Sequence, residues 1–499
     1  MEIHKSSLIL LVMKKLAIVF LLSVFMLPAR GSDSVSGFPR VILPGDFADP
    51  TIVRDGADYY MTHSAFSYAP GFLVWHSRDL LSWEPVCRVP GSGYAPDLIK
   101  YDGKFYIYYP AHGTNYVTWA TDIRGPWSKP IDLKVGGIDP GHVVDSLGNR
   151  YLHLSGGTMV ELSRDGLSTI GERHKVYEGW QYPEDWEVEC FCLESPKLTF
   201  HNGYFYMTSA EGGTAGPATS HMAVSARSRS AVGPWENSPY NPVVHTYSAS
   251  DQWWSKGHAT IIDDVNGNWW IVYHAYPNGL HTLGRSTLIE PIEWTADGWF
   301  RTKPSAKPIS QNPPVVFSTP SDTFDGNTLD LLWSGWRRLG SSDAVVSGGK
   351  LSLQSKGSGI ADGRVLVTTP TDARYDVRVD ALADGESGAG LTLFYNEKAF
   401  IGIVATADSI AYWTSSDVRH AVPNGFGRAM TLRIVNDSNR CSLQASPDGK
   451  SWRVLADGID VSAMNHNELR GFLALRVGLV ATGQGAARFD NFSYAKLGR

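Results

Sequence analysis

Phe191–Cys192–Leu193–Glu194–Ser195–Pro196–Lys197–Leu198 is the stretch whose reading decides how the 499-residue chain folds. A carboxylate stands two residues ahead of a proline that opens an apolar strand. Thr199–Phe200–His201 then leads through the turn pair Asn202–Gly203 into the aromatic run Tyr204–Phe205–Tyr206–Met207. Asn-Gly between two such runs specifies a tight hairpin. The stretch is a hairpin with an acid at its mouth.

The pattern recurs four times: Asp49–Pro50–Thr51–Ile52–Val53 to Gly56 and Tyr59–Tyr60; Ala95–Pro96–Asp97–Leu98–Ile99 to Asp102–Gly103 and Phe105–Tyr106; Asp139–Pro140–Gly141–His142–Val143 to Gly148 and Tyr151–Leu152; Gly257–His258–Ala259–Thr260–Ile261 to Asn266–Gly267 and Trp269–Trp270. Aligned on Pro50, Pro96, Pro140, Pro196 and His258, the units step by about 45 to 60 residues, the period of propeller blades. The opening strand of each blade lines the central channel, so five strand starts converge at one end of its axis. Asp49, Asp139 and Glu194 all sit at such starts and are expected to share one pocket. Asp97 follows its proline and is expected to point along the channel as a supporting residue.

The expected fold class is all-β: a five-bladed β-propeller over residues 32–312, then a β-sandwich of jelly-roll or concanavalin-like type over residues 320–499. Phe38 to Leu43 reads as a strand that closes the ring against the last blade. Turns ending in Trp83, Trp127 and Trp235 mark the outer parts of blades and read as packing. A Pro-rich connector, Pro304 to Pro314, precedes short alternating segments such as Tyr375–Asp376–Val377–Arg378–Val379 and Leu391–Thr392–Leu393–Phe394, a sandwich signal.

Apolar residues make up 43% of the chain and aromatics 12%, which suits a folded, β-rich protein. A formal charge of −6 without a basic stripe gives nucleic-acid binding no support. Lys14–Lys15, the apolar run Leu16 to Leu27 and Ala29–Arg30–Gly31 read as a signal peptide over residues 1–31, implying export to the periplasm or exterior and no membrane span once it is removed. Of four cysteines, Cys190 and Cys192 stand too close along an extended chain to bridge without strain, so all four are expected as buried small hydrophobes.

Hydrolysis of a glycosidic bond with inversion needs a protonated acid and an ionised base about 6.5–9.5 Å apart. Glu194, beside a Cys- and Phe-rich strand, suits the acid, and Asp49, from another blade, suits the base. Asp139 between them would hold their pKa values apart. Phe66 and Trp75 are candidates to stack on a sugar ring, ordinary blade core being the alternative. Glu187 and Glu189 fall out of register with the repeat. The loop Ser64 to Gly71 reads as one wall of a blind pocket.

Asp49–Pro50, Asp139–Pro140, Glu194–Ser195–Pro196–Lys197, Gly257–His258–Ala259–Thr260 and Leu283–Gly284–Arg285 together resemble the motifs of glycoside hydrolase family 43, five-bladed propellers acting on arabinose- and xylose-containing polysaccharides. The resemblance spans roughly Phe38 to Pro308. It implies Asp49 as base, Asp139 as pKa modulator, Glu194 as acid, Arg285 as a ligand of sugar hydroxyls, and His258 beside a calcium-type ion in the channel, reached through water. One departure is Ser195, where many members carry Gly. The resemblance implies no organic cofactor, and as partner a plant cell-wall oligo- or polysaccharide losing terminal α-L-arabinofuranose or β-D-xylose. The C-terminal sandwich resembles the accessory domains of the family's exo-enzymes, which complete the pocket rim or bind glycan independently. A non-catalytic sugar-binding propeller and a retaining fructan-type hydrolase on a related propeller are the competing readings.

Overall fold

The computed structural model describes residues 37–303 and 316–498. The leader assigned to residues 1–31 and the connector Pro304 to Pro314 lie outside the described residues.

Five antiparallel sheets of four or five strands follow one another along the chain. Their inner strands are Thr51–Asp55, Asp97–Tyr101, Gly141–Val144, Glu194–His201 and Trp253–Asp263. Each turns back through a hairpin onto a second strand, as with Glu194–His201 and Tyr204–Glu211. That turn needs two left-handed residues, and Asn202 and Gly203 supply them with φ of 46° and 79°. The ring closes through Arg40–Leu43, which pairs with Ser286–Trp294 of blade five and so joins the first strand to the last blade.

The non-glycine residues that enter the inner strands are also left-handed: Asp49, Ala95, Asp139, Ser195 and His258 have φ of 59°, 40°, 56°, 56° and 56°. This five-fold repeat corrects the sequence alignment. His258 matches Asp49 and Asp139, whereas the place of Pro50 and Pro140 belongs to Ala259. Non-glycine residues in this region store strain, which persists where surrounding structure fixes them at functional sites. It also accounts for Ser195, which sits at a backbone position that favours glycine.

The blade interiors are apolar on alternating strand positions. Trp83 and Trp127 are packing residues whose indole N–H groups donate to Leu80 and Ile123 carbonyls at 3.1 and 3.0 Å. Trp75, a candidate for sugar stacking, belongs with them: it lies on the third strand of blade one, is 0% exposed, and meets Phe47 and Phe317 edge-on. Its removal would cost about 3–5 kcal/mol of stability.

The second domain stacks two antiparallel sheets over one apolar core containing Leu391, Leu393, Ile401, Leu432, Leu479 and Phe489. Its larger sheet does not stop at the domain boundary. Ser334–Trp336 pairs with Tyr68–Ala69, which comes from blade one and forms the sheet's eighth strand. The α-helix seen among the described residues is one turn, His466–Leu469, and no described helix is long and apolar enough to cross a membrane. Asp322, Asp325 and Asp490 each serve a local turn or side chain and do not gather into an ion site.

One cysteine expectation is overturned. Cys190 and Cys192 form a disulfide, with Cα atoms 5.3 Å apart. The segment ahead of Glu194 is not extended: Cys192 is left-handed at φ 41°, which folds the chain enough for the two to meet. Cys87 and Cys441 are free.

Candidate active site

Blade starts one, three and four deliver Asp49, Asp139 and Glu194 to one pocket of about 800 Å³, with His258, Arg285 and Phe66 also in its wall. Close approach of the strands makes this possible. A Cβ on Gly141, just after Asp139–Pro140, would lie 1.4 Å from the Pro196 carbonyl oxygen, so only glycine lets blades three and four bring their acids together.

Asp49 is held on every side. Arg285 Nη1 donates to its Oδ1 at 3.0 Å, the Ser64 hydroxyl donates to its Oδ2, and its own N–H donates to His274 Nδ1 at 3.0 Å. His258 Nδ1 lies 3.4 Å from Oδ1. Burial alone would raise the Asp49 pKa. The Arg285 guanidinium overrides it, and with His258 and His274 alongside, the carboxyl stays well below its ordinary value. Asp49 is an anion at neutral pH.

Glu194 has the opposite surroundings. Burial pushes its pKa well above the ordinary value, and the neighbouring charges of Asp139 and Asp49 push the same way, with Arg285 a partial offset. Asp139 is raised to about 7, first by burial and then by Asp49, against the pull of Lys197 and the Ser195 N–H. Ligand atoms of Asp139, Glu194 and His258 lie within 4.8 Å of one another. At such spacing the acidic pair cannot both ionise readily, so a proton is retained there while Asp49 remains charged.

Arg285 is fixed by its backbone as well. Its N–H reaches Asp46 Oδ1 at 3.4 Å and its carbonyl accepts the Phe47 N–H at 3.0 Å. The preceding Gly284, at φ 77°, is hemmed in by Asp46 and by Ala474 of the sandwich. One guanidinium nitrogen, Nη2, has no protein partner among the described residues, leaving a donor for a ligand oxygen. The guanidinium stands 5.6 Å from the ring centre of Phe66 and 5.8 Å from that of Phe472.

Phe66 lines the pocket from the loop after Ser64, and Trp75 does not reach it. Asp97 lies below, in the channel, where it receives Lys197. Glu189 accepts the Ala215 N–H at 2.8 Å and approaches Arg470 at 3.5 Å, outside the acidic group.

The residues around His258 offer a calcium-type ion few protein oxygens of their own, so most of its ligands there would have to be water. Such an ion takes six to eight oxygens. Asp49 is committed to Arg285, and a Glu194 that serves as acid must keep its proton. The channel carbonyls of Pro96 and Pro140 accept from Lys197. What His258 has to offer is one nitrogen, Nε2, without a protein partner. The imidazole instead abuts Asp49.

Several residues of the site, one behind Asp49 and others in the pocket wall, escaped the sequence reading. His274 sits mid-strand in an aromatic run, with nothing local to separate it from core. Arg337, Gly471 and Phe472 come from the sandwich. Phe472 is 48% exposed, left-handed at φ 58°, and steadied by His466, which stacks on its ring at 4.0 Å and accepts its N–H at 2.9 Å.

The model described as Glycosyl hydrolases family 43 matches residues 38–300, and that described as Beta xylosidase C-terminal Concanavalin A-like domain matches residues 321–495. A non-reducing end alpha-L-arabinofuranosidase of Bacteroides ovatus is 30% identical over 92% of this chain and 95% of its own length. A xylosidase/arabinosidase of Butyrivibrio fibrisolvens is 26% identical over 90% and 96%. The crystal structure of a xylan beta-1,4-xylosidase from Bacillus halodurans superposes with a TM-score of 0.80 at 26% identity, covering 92% of this chain and all of that one. With the propeller, the convergent acids and a family match over more than half its length, this chain belongs to glycoside hydrolase family 43.

Proposed function

We propose that this glycoside hydrolase is exo-acting and inverting, and that it releases a terminal α-L-arabinofuranose or β-D-xylose from plant cell-wall oligo- or polysaccharides. The observation that carries the reading is the opposite tuning of two carboxyls in one pocket: Asp49 held well below the ordinary range, Glu194 well above it. Glu194 would protonate the leaving oxygen, and Asp49 would take a proton from the attacking water. Asp139, whose charge raises Glu194, keeps the acid protonated and orients it. Arg285 Nη2 would donate to a sugar hydroxyl, with Phe66 and Phe472 flanking the guanidinium.

A pocket bounded by the Phe66 loop on one domain and by Arg337 and Phe472 on the other favours a chain end over a chain interior. The names of the full-length relatives, an arabinofuranosidase and a xylosidase/arabinosidase, agree with a terminal pentose. Export through the leader at residues 1–31 is part of the same proposal, and N-terminal sequencing of the secreted protein would check it.

Aryl α-L-arabinofuranoside and aryl β-D-xyloside assayed side by side test the substrate class; turnover of neither refutes it. NMR of the first product anomer tests the stereochemistry. Inverted product is expected, and net retention would favour the fructan-type reading. Survival of turnover on natural, unactivated linkages in Glu194→Gln would favour a sugar-binding propeller.

A further inference from the structure

Behind the acids, on the same strand as Glu194, the Lys197 side chain runs into the channel and is 2% exposed. It is the buried lysine among the described residues. Its ammonium has three donors and meets three acceptors: the Pro96 carbonyl at 2.8 Å, the Pro140 carbonyl at 2.9 Å and Asp97 Oδ1 at 3.1 Å. Asp97 is itself fixed, its other oxygen accepting the His142 N–H at 2.7 Å. A buried ammonium is strongly unfavourable unless every donor is satisfied. Here every donor is.

The acceptors belong to the starts of blades two and three, and the lysine to blade four. Pro140 adjoins Asp139, and Lys197 lies three residues beyond Glu194. The ammonium therefore ties the strand carrying one acid to the strand carrying the other, through two carbonyls and a carboxylate, the oxygen set with which a protein surrounds a small cation. We infer that Lys197 is the resident cation of the propeller channel, occupying the place an inorganic ion would take, and that it is a positioning residue for Asp139 and Glu194. The inference rests on the catalytic roles proposed above for those two acids.

A second cavity of about 300 Å³ at the other end of the channel is lined by Lys197 and Asp97, together with Thr51, His142 and Thr260. None of the three acids lines that cavity.

The test needs three arms on the full chain. Wild-type protein dialysed against EDTA should keep its kcat and its Tm, and added calcium should change neither. Lys197→Met, of similar volume and no charge, should lose about 10²-fold in kcat with KM little changed, since misplacement of catalytic groups acts on the chemical step. Lys197→Ala should recover at least about tenfold in kcat with n-propylammonium, and not with 1-propanol, because the charge and its donors are what the site requires. A Lys197→Met enzyme within about twofold of wild type, equal rescue by propanol, or calcium-restored activity after chelation would each overturn the inference. If neither variant folds, the chelation arm on wild type decides. If wild type cleaves no pentoside, the proposed function fails by itself, and Tm then reads the cation site: n-propylammonium should raise the Tm of Lys197→Ala and leave wild type unmoved, and the absence of that shift overturns the inference.

Discussion

The mouths of blade one and blade four are built alike: a left-handed residue, a proline, and an inner strand. Each carries a carboxyl that lines the pocket. Asp49 meets a guanidinium, a hydroxyl and two imidazoles. Glu194 meets two other carboxyls, and its nearest counter-charge, Arg285, is already bound to Asp49. The same backbone device thus presents one group as an anion and the other as an acid. What separates them is the company each keeps, and that company comes from other blades.

Breaking the contrast outright has the largest effect. Glu194→Gln and Asp49→Asn should each reduce kcat by about 10³-fold or more on natural linkages. They should part on leaving group: with a nitrophenyl glycoside, whose departure needs little protonation, Glu194→Gln should regain much of its rate and Asp49→Asn little. Equal losses on both substrates would mean that the two carboxyls do not divide the work.

Weakening the contrast comes next. Arg285→Met removes the main force that lowers Asp49, so the Asp49 pKa rises and the acid limb of the pH–rate profile moves to higher pH, with kcat/KM down about 10²-fold. In wild type, activity should be lost on the alkaline side as pH rises through the raised Glu194 pKa, because the acid form is required. A profile that stays flat to high pH would contradict the raised acid.

Residues that touch neither carboxyl should have smaller effects. Phe472→Ala should raise KM roughly three- to tenfold with kcat nearly unchanged, as one aromatic face is worth about 0.5–1.5 kcal/mol. The smallest change is in stability. Asp139, raised to about 7, contributes stability that is present below the ordinary 3.8 and lost as pH rises through about 7. Asp139→Asn should therefore raise Tm above that pH by roughly 2–4 °C, with the gain vanishing in acid, while activity falls. A Tm difference of the same size at every pH would mean that the asparagine acts by packing and not by removing a charge.

The repeat was legible because hairpins are local: Asn202–Gly203 and the proline after Asp139 declare their geometry within a few residues. From the blade period the meeting of Asp49, Asp139 and Glu194 followed by topology. Trp75 was misjudged because a tryptophan on a blade strand reads the same whether it faces core or pocket, and strand order within the sheet makes the choice. His258 was misaligned by one residue since no proline marks blade five. The bridge between Cys190 and Cys192 depends on one left-handed backbone angle. Phe472 and Arg337 left no signal at all near the acids, because the contact that brings them there joins positions hundreds of residues apart.

The strand Tyr68–Ala69 completes a sheet of the second domain while the residues just before it, Phe66 and Ser67, face the pocket. The two halves of this enzyme are therefore not interchangeable parts. A propeller expressed by itself would lack a hydrogen-bonded neighbour for that strand, and grafting a different sandwich onto it would need a matching edge at Ser334–Trp336 before any new specificity could be read.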